Sequence, residues 1–372
     1  MPMRRFFKIL LIGINIFIGC GLAFCALVTH LDAQSFPRLV IAAMSFPVWV
    51  PPTLLLLVID FFFLRKWCLW ISACAAVALP MIFTVLPLNI PRDNVPEAFK
   101  KDSWTLLSYN IVNYNDMTMR YPGGINPILT YILKTDADVV VLPEGRDLKV
   151  FKPTKIGEVQ LDSIYQRYPH IIIGTDITLM SKFPAREIEL KDFPEQLYEH
   201  NRGQSKVGCY IVNIHGKETA IFGVHMKSLG LTRNDKNLYE DFTKGEGITS
   251  REEIKEAKND IITKVAIANY ERAREADALA EAIASLDYPN TIVCGDFNDT
   301  PGCYTLQQLE KLGLREVYPL VGTGYMYTFN RDRLLFQIDH ILFKGAFRPW
   351  SIRREDINIS DHYPLITTFI ER

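Results

Sequence analysis

Three long apolar runs, at residues 6–28, 39–64 and 67–88, dominate the first quarter of the chain and then stop. Their charged side chains are Lys8 at the edge of the first and Asp60 in the second, and the third has none. Each run exceeds the roughly 20 residues that a bilayer core requires, so residues 1–90 are expected to form three transmembrane helices. The basic start at Arg4, Arg5 and Lys8 would also suit a cleavable signal peptide, but two more runs follow and the first is longer than a signal core. Pro47, Pro51 and Pro52 are expected to kink the second span, and Asp60, one turn from Arg65, reads as a charge snorkelling to the interface.

Residues 91–102 form a polar, Pro-containing linker, and beyond it the pattern shortens. Runs of four to eight residues rich in β-branched and aromatic side chains predict strands at 104–111, 139–142, 170–173, 178–181, 208–214 and 219–224. Further strands are expected at 291–294, 325–330, 337–343 and 364–370, and helices at 126–135, near 250–286 and at 304–312. Helices interleaved with hairpin-like strand pairs point to a sheet sandwich flanked by helices, an α/β or α+β architecture spanning 103–372. Residues 228–277 break this rhythm: they are polar before turning helical, and read either as a solvated excursion or as an insertion facing the substrate.

Charge divides the chain at the same place. Residues 1–96 hold 7 Lys/Arg against 3 Asp/Glu, a net of +4, and residues 97–372 hold 34 against 39, a net of −5. The mild acidity of the second part argues against tight non-specific binding to nucleic acid, which needs clustered positive charge. Within the first part the positive charges Arg4, Arg5, Lys8, Arg65 and Lys66 place the N-terminus and the turn after the second run on the cytoplasmic side. Three crossings then put everything after Leu88 outside the cytoplasm. Of seven cysteines, Cys209, Cys294 and Cys303 lie outside the runs, an odd number with no disulfide or zinc spacing.

Chemistry concentrates at strand ends. Asn110, Glu144 and His225 each close an apolar run; Asp296 and Asn298 follow 291–294 in Gly295-Asp296-Phe297-Asn298; Asp339 and His340 lie within 337–343; and Asp361-His362 precede the last strand. On extended backbone, side chains two apart share a face, so Asp296 and Asn298 sit together while His340 points away from Asp339's face. An Asx turn closing a strand would also explain Gly295–Asn298. Buried polar groups are costly unless paired, and convergence on one site accounts for so many of them at once.

In order, Ser-x-Asn, Pro-Glu, Val-His-Met-Lys-Ser, Gly-Asp-Phe-Asn, Ile-Asp-His-Ile and Ser-Asp-His resemble the endonuclease/exonuclease/phosphatase superfamily over about residues 103–371. The resemblance implies a four-layer DNase I-like β-sandwich flanked by helices, and the N-terminal runs resemble those of membrane-anchored bacterial members. It further implies that Glu144, with Asn110 and Asp361, holds Mg²⁺ (or Mn²⁺), and that Asp296 orients or deprotonates the attacking water. Asn298 would bind a phosphoryl oxygen, His362 would contact the phosphate while oriented by Asp339, and His225 would be the second histidine, acting on the leaving oxygen. Members usually carry glutamine before the glutamate, where this chain has Pro143. The expectation is a membrane-anchored phosphodiesterase of the bilayer's outer side, with a lipid headgroup or small phosphodiester as substrate. A DNase I-type nuclease, a catalytically inactive scaffold, and a transporter or sensor carrying an accessory domain are the alternatives.

Overall fold

In a computed structural model of the chain, the described residues are 2–92, 94–115, 120–174, 176–188, 198–199, 204–205, 207–230, 251–331 and 335–371. They fall into two units, one of Met1–Leu86, Leu229–Ala273 and Thr300–Tyr304, the other of Pro87–Ser228, Arg274–Asp299 and Thr305–Arg372.

The first unit holds helices α1 (Pro2–Leu27), α2 (Phe46–Phe63) and α3 (Arg65–Val85). Three segments, Arg5–His30, Val40–Phe63 and Arg65–Val85, are long and apolar enough to cross a membrane. The seam between the helices is built from Leu22, Cys25, Phe46, Val50, Ala78, Met81 and Val85. Gly21 is needed there, because a Cβ at this position would lie 2.2 Å from the ring of Trp49. The second span starts as a 3-10 turn, Val40–Ser45, and becomes α-helical at Phe46, with Pro51 and Pro52 inside the helix. Asp60 does not snorkel: it is fully buried, and its Oδ1 accepts a bond from Asn15 Nδ2 at 3.3 Å. An amide on the neighbouring helix gives the carboxyl a partner inside the bundle, so it need not reach the interface. Of the segment 228–277, residues 231–250 lie outside the described residues, and from Arg251 the chain is helical to Leu286.

The second unit contains two six-stranded mixed sheets. One runs β13-β14-β1-β2-β4-β3 and the other β11-β12-β10-β9-β8-β5. In the first, β1 (Trp104–Ser108) pairs in parallel with β2 (Val139–Pro143), flanked by antiparallel β4 (Ile177–Ser181) and β14 (Leu365–Glu371). β3 (His170–Ile173) and β13 (Phe347–Arg354) form the edges. The second is centred on parallel β9 (Lys217–His225) and β10 (Thr291–Asp296), with β12 (Asp339–Lys344) and β8 (Val207–Ile214) antiparallel beside them. β5 (Ala185–Ile188) and β11 (Arg315–Glu316) complete it, and a small ladder joins β6 (Tyr198–Glu199) to β7 (Gln204–Ser205).

Strand alternation sorts the core. Leu106, Val139, Val141, Ile177 and Leu179 of the first sheet meet Tyr210, Val212, Ile221, Ile292, Cys294 and Ile341 of the second in one cluster. The intervening residues Leu107, Val140 and Met180 face the other way, onto Ile128, Leu129 and Ile132 of α4 (Pro127–Thr135) and Ile164 of α5 (Glu158–Arg167). The two sheets therefore face each other, with helices covering the outer face of the first, a DNase I-like sandwich flanked by helices.

Several elements differ from expectation, among them the short strands β5 and β11. Residues 325–330 form no strand, and their single bridge is Phe329 to His362. β13 and α5 were not expected: β13 carries Arg348, Arg353 and Arg354 on an edge, and α5 buries Ile164 alone, so neither shows an apolar stripe. In the expected linker, Glu97–Asp102 winds into a 3-10 turn, and just before it Asn89 Nδ2 donates to Pro319 O and Gly322 O at 3.1 and 2.8 Å.

Candidate active site

A parallel strand and its antiparallel neighbour bring opposite chain ends to one sheet edge. Asn110 and Glu144 follow β1 and β2, while His362 precedes β14 and Asp176 precedes β4, so the first sheet offers four groups along a single edge. In the second sheet His225 ends β9, Asp296 ends β10 and Asp339 begins β12, with Asp296 in register with both His225 and Asp339.

The backbone is shaped to hold these side chains. Gly295 has φ +137°, and a Cβ there would meet Val224 O at 2.2 Å, so only glycine lets β10 end beside β9. Glu144 (φ 55°), Asn298 (φ 51°) and Val112-Asn113-Tyr114 (φ 45°, 55° and 56°) are all left-handed, which is unusual for non-glycine residues and costly for β-branched Val112. The Asx turn is present too, with Asn298 N donating to Asp296 Oδ1 at 2.8 Å.

Each imidazole–carboxylate pair joins the two sheets. His362 Nδ1 lies 2.7 Å from Asp339 Oδ2, and its Nε2 lies 3.6 Å from Asp296 Oδ2. His225 Nδ1 lies 2.6 Å from Asp176 Oδ2, leaving Nε2 at 3.9 Å from both Glu144 Oε1 and Asp296 Oδ2. Asn110 Nδ2 donates to Glu144 Oε1 at 3.2 Å and Asp296 Oδ2 at 3.0 Å, strapping the two acids together. Asn298 Nδ2 donates to Met226 O at 3.0 Å. Asp361 stands apart: its carboxylate contacts Ser360 Oγ at 3.5 Å and meets neither Glu144 nor Asn110 among the described residues, although its charge acts on His362. His340 turns to the opposite face, where its ring meets Glu316 Oε1 at 2.6 Å and Asp299 O at 2.9 Å. Pro143 keeps its carbonyl in service as the acceptor for Ile111 N at 3.2 Å.

Burial alone would lower the proton affinity of His225, but the bond to Asp176 and the charges of Asp296 and Glu144 outweigh it and hold the ring at about 9. Burial likewise opposes the charge on His362, and Asp339 and Asp296 overcome it, to about 10. Asp296 is raised above the ordinary carboxylate range by burial, with His362 opposing and Asp339 reinforcing. At neutral pH both rings are therefore cations, each with a free Nε2–H aimed at the space beside Asp296.

The donors suit a hard cation. Four carboxylates (Glu144, Asp176, Asp296 and Asp339) gather around two imidazoles, an excess of negative charge. Asn113 Nδ2 approaches Glu144 Oε2 at 3.5 Å, and its Oδ1 is buried with no partner among the described residues, an orphaned oxygen beside an accessible carboxylate. Asp296, Asp339 and His362 also bring one donor atom each within 4.8 Å of one another. There, however, Asp339 Oδ2 is spent on His362 Nδ1, so the oxygen-rich Glu144 end is the better cation site. Asp176 and Asn113 were not among the expected residues: the first directly precedes β4, the same strand-start signal that marks His362, and the second sits in a left-handed turn that no periodicity marks.

The family model described as Endonuclease/Exonuclease/phosphatase family matches residues 112–362. Similar solved structures include an endonuclease/exonuclease/phosphatase from Beutenbergia cavernae, 14% identical with TM-score 0.47, covering 73% of this chain and 72% of that one. Another is a family protein from Bacteroides thetaiotaomicron, 17% identical with TM-score 0.45, covering 73% and 98%. A humanized D. rerio TDP2 is 16% identical with TM-score 0.43, covering 72% and 99%. No curated protein sequence matches. The family match runs over more than half of the chain and takes in Asn113, Glu144, Asp176, His225, Asp296, Asp339 and His362, and by it the chain belongs to the endonuclease/exonuclease/phosphatase family, which hydrolyses phosphoester bonds.

Proposed function

We propose that this protein is a membrane-anchored, divalent-metal-dependent phosphodiesterase whose catalytic unit works on the extracytoplasmic side, on a lipid headgroup or small phosphodiester. The observation that carries this reading is the pair of imidazoles, each bonded to its own carboxylate, facing Asp296 from two sides. Glu144 and Asn110 would hold the ion, Mg²⁺ or Mn²⁺, with Asn113 Oδ1 a further oxygen and Asp361 a ligand through water. Its chemistry would be to neutralise charge on the phosphoryl oxygens.

The protein's own groups do the rest. Asp296, raised by burial, is poised to take a proton from a water, and Asn110 fixes the carboxylate through Oδ2. His362, locked in one tautomer by Asp339, directs Nε2–H toward a phosphoryl oxygen, and the second amide hydrogen of Asn298 is available for another. His225, held by Asp176, keeps a proton ready for the leaving oxygen. Three donors and one base around a single point fit in-line displacement, in which positioning and charge stabilisation supply most of the acceleration. The net of −5 over residues 97–372 favours small or lipid diesters over DNA.

The test is hydrolysis of an aryl phosphodiester, a phospholipid headgroup panel and DNA by the full chain in detergent, with Mg²⁺, with EDTA and as Asp296→Ala. The expected outcome is metal-dependent diester cleavage lowered at least about 10³-fold by Asp296→Ala. Activity indifferent to both EDTA and the substitution would sink the mechanism.

A further inference from the structure

The catalytic groups leave one large cavity unused. It has a volume of about 480 Å³, within the size range of small-ligand pockets, and lies between β13 and the segment 318–327, with Pro91 and Arg92 as a third wall. Among the described residues, every charged side chain lining it is an arginine: Arg92, Arg353 and Arg354. That is a positive pocket in a region whose net charge is −5.

Two of these guanidinium groups lie over aromatic rings. Arg92 Cζ lies 4.8 Å from the centroid of the Trp350 ring, and Arg354 Cζ lies 4.3 and 4.2 Å from the centroids of Tyr327 and Tyr363, two rings that meet edge to face. Stacking uses the faces of a guanidinium and leaves its in-plane N–H donors for a planar or tetrahedral oxyanion. Arg92 donates to no acceptor among the described residues. Arg353 commits Nε to Glu355 at 3.1 Å, and Arg354 commits Nη1 to Tyr327 O at 3.3 Å, with Asp356 at 3.8 Å. Most of their donors remain open. Apolar Val321, Met326 and Ile352 line the rest of the cavity and offer a place for an organic body.

We propose that this cavity is a second ligand site, separate from the hydrolytic centre and independent of how that centre is read, which takes an organic phosphate ester. Three guanidinium groups match the several oxygens of a phosphate better than the two of a carboxylate, and paired donors favour bidentate contacts. A bound ester would tie Arg92, which follows the third apolar helix in sequence, to β13. The same chemistry is offered by a soluble phosphate ester and by a phosphatidate headgroup.

Isothermal titration of the full chain in detergent, with EDTA present, would use glycerol 3-phosphate and dihexanoyl phosphatidic acid as probes, with glycerol as the blank. Saturable binding is expected, weakened at least about tenfold in Arg92→Gln/Arg353→Gln, less in the Lys/Lys counterpart, and unchanged within about twofold in Asp296→Ala. Both arginines are surface residues, so the double variant should fold, and its hydrolysis of an aryl diester in Mg²⁺ should stay within about twofold of the parent. Comparable binding of both probes assigns a soluble ester, and binding of the lipid alone assigns a headgroup; either result upholds the site. The proposal is overturned if neither probe saturates, or if binding survives in the arginine variant and vanishes in Asp296→Ala.

Discussion

Asp176 shows how a single side chain sets the state of another. Its carboxylate, 2.6 Å from His225 Nδ1, outweighs the burial that would otherwise strip the ring of its proton. Asp176→Asn keeps the shape and removes the charge, so His225 should titrate closer to the ordinary histidine value of about 6.5. The expected result is a fall in kcat/KM of roughly 10–10² at neutral pH, with the alkaline limb of the pH–rate profile moving down from near 9. A loss of rate with an unmoved limb would mean that Asp176 only supports the fold. Glu144, His225, Asp296, Asp339 and His362 were legible in the sequence because each is a polar residue ending or starting an apolar run. Asn113 was not, since a left-handed turn rather than a periodic pattern brings it to the site, while Asp176 carried the same strand-start signal directly before Ile177.

At the level of elements, alternation made the inner strands readable: β1, β2 and β4 are apolar on both faces because both faces are covered. Edges obey weaker rules. β13 has one strand neighbour and tolerates three arginines, and 325–330 looks like a strand but is held by irregular bonds, including Thr328 Oγ1 accepting from Asp339 N at 3.0 Å. The His362–Asp339 pair links strands of different sheets, and this gives folding a pH signature. The folded ring, at about 10, holds its proton more tightly than the unfolded one, near 6.5. Its stabilisation is therefore complete below about pH 6.5 and is lost as pH rises through about 10. Thermal unfolding in EDTA should show Tm declining across that window, and His362→Gln should flatten the decline.

For the molecule as a whole, charge and hydropathy divide the chain near residue 90, with +4 before the linker and −5 after it. The three apolar segments support membrane association. The side on which the catalytic unit lies is our proposal, and it is testable without a substrate. A fluorescent reporter that matures only in the cytoplasm, fused after Arg372, should stay dark in cells, while a periplasm-active phosphatase at the same point should be active. The reverse pattern would place the unit inside. The alternation of the inner strands follows from burial, which the apolar pattern encodes; the meeting of Asp176 with His225 or of Asn110 with Asp296 depends on two sheets closing, which no single stretch of sequence encodes.

That closure has a consequence for when the protein becomes active. Asn110, Glu144, Asp176 and His362 hang from one sheet, and His225, Asp296 and Asp339 from the other, so neither sheet alone holds a base, a donor and its partner together. A nascent or half-assembled chain is chemically silent. On the roles proposed above, hydrolytic capacity would appear only once the two sheets have closed on each other.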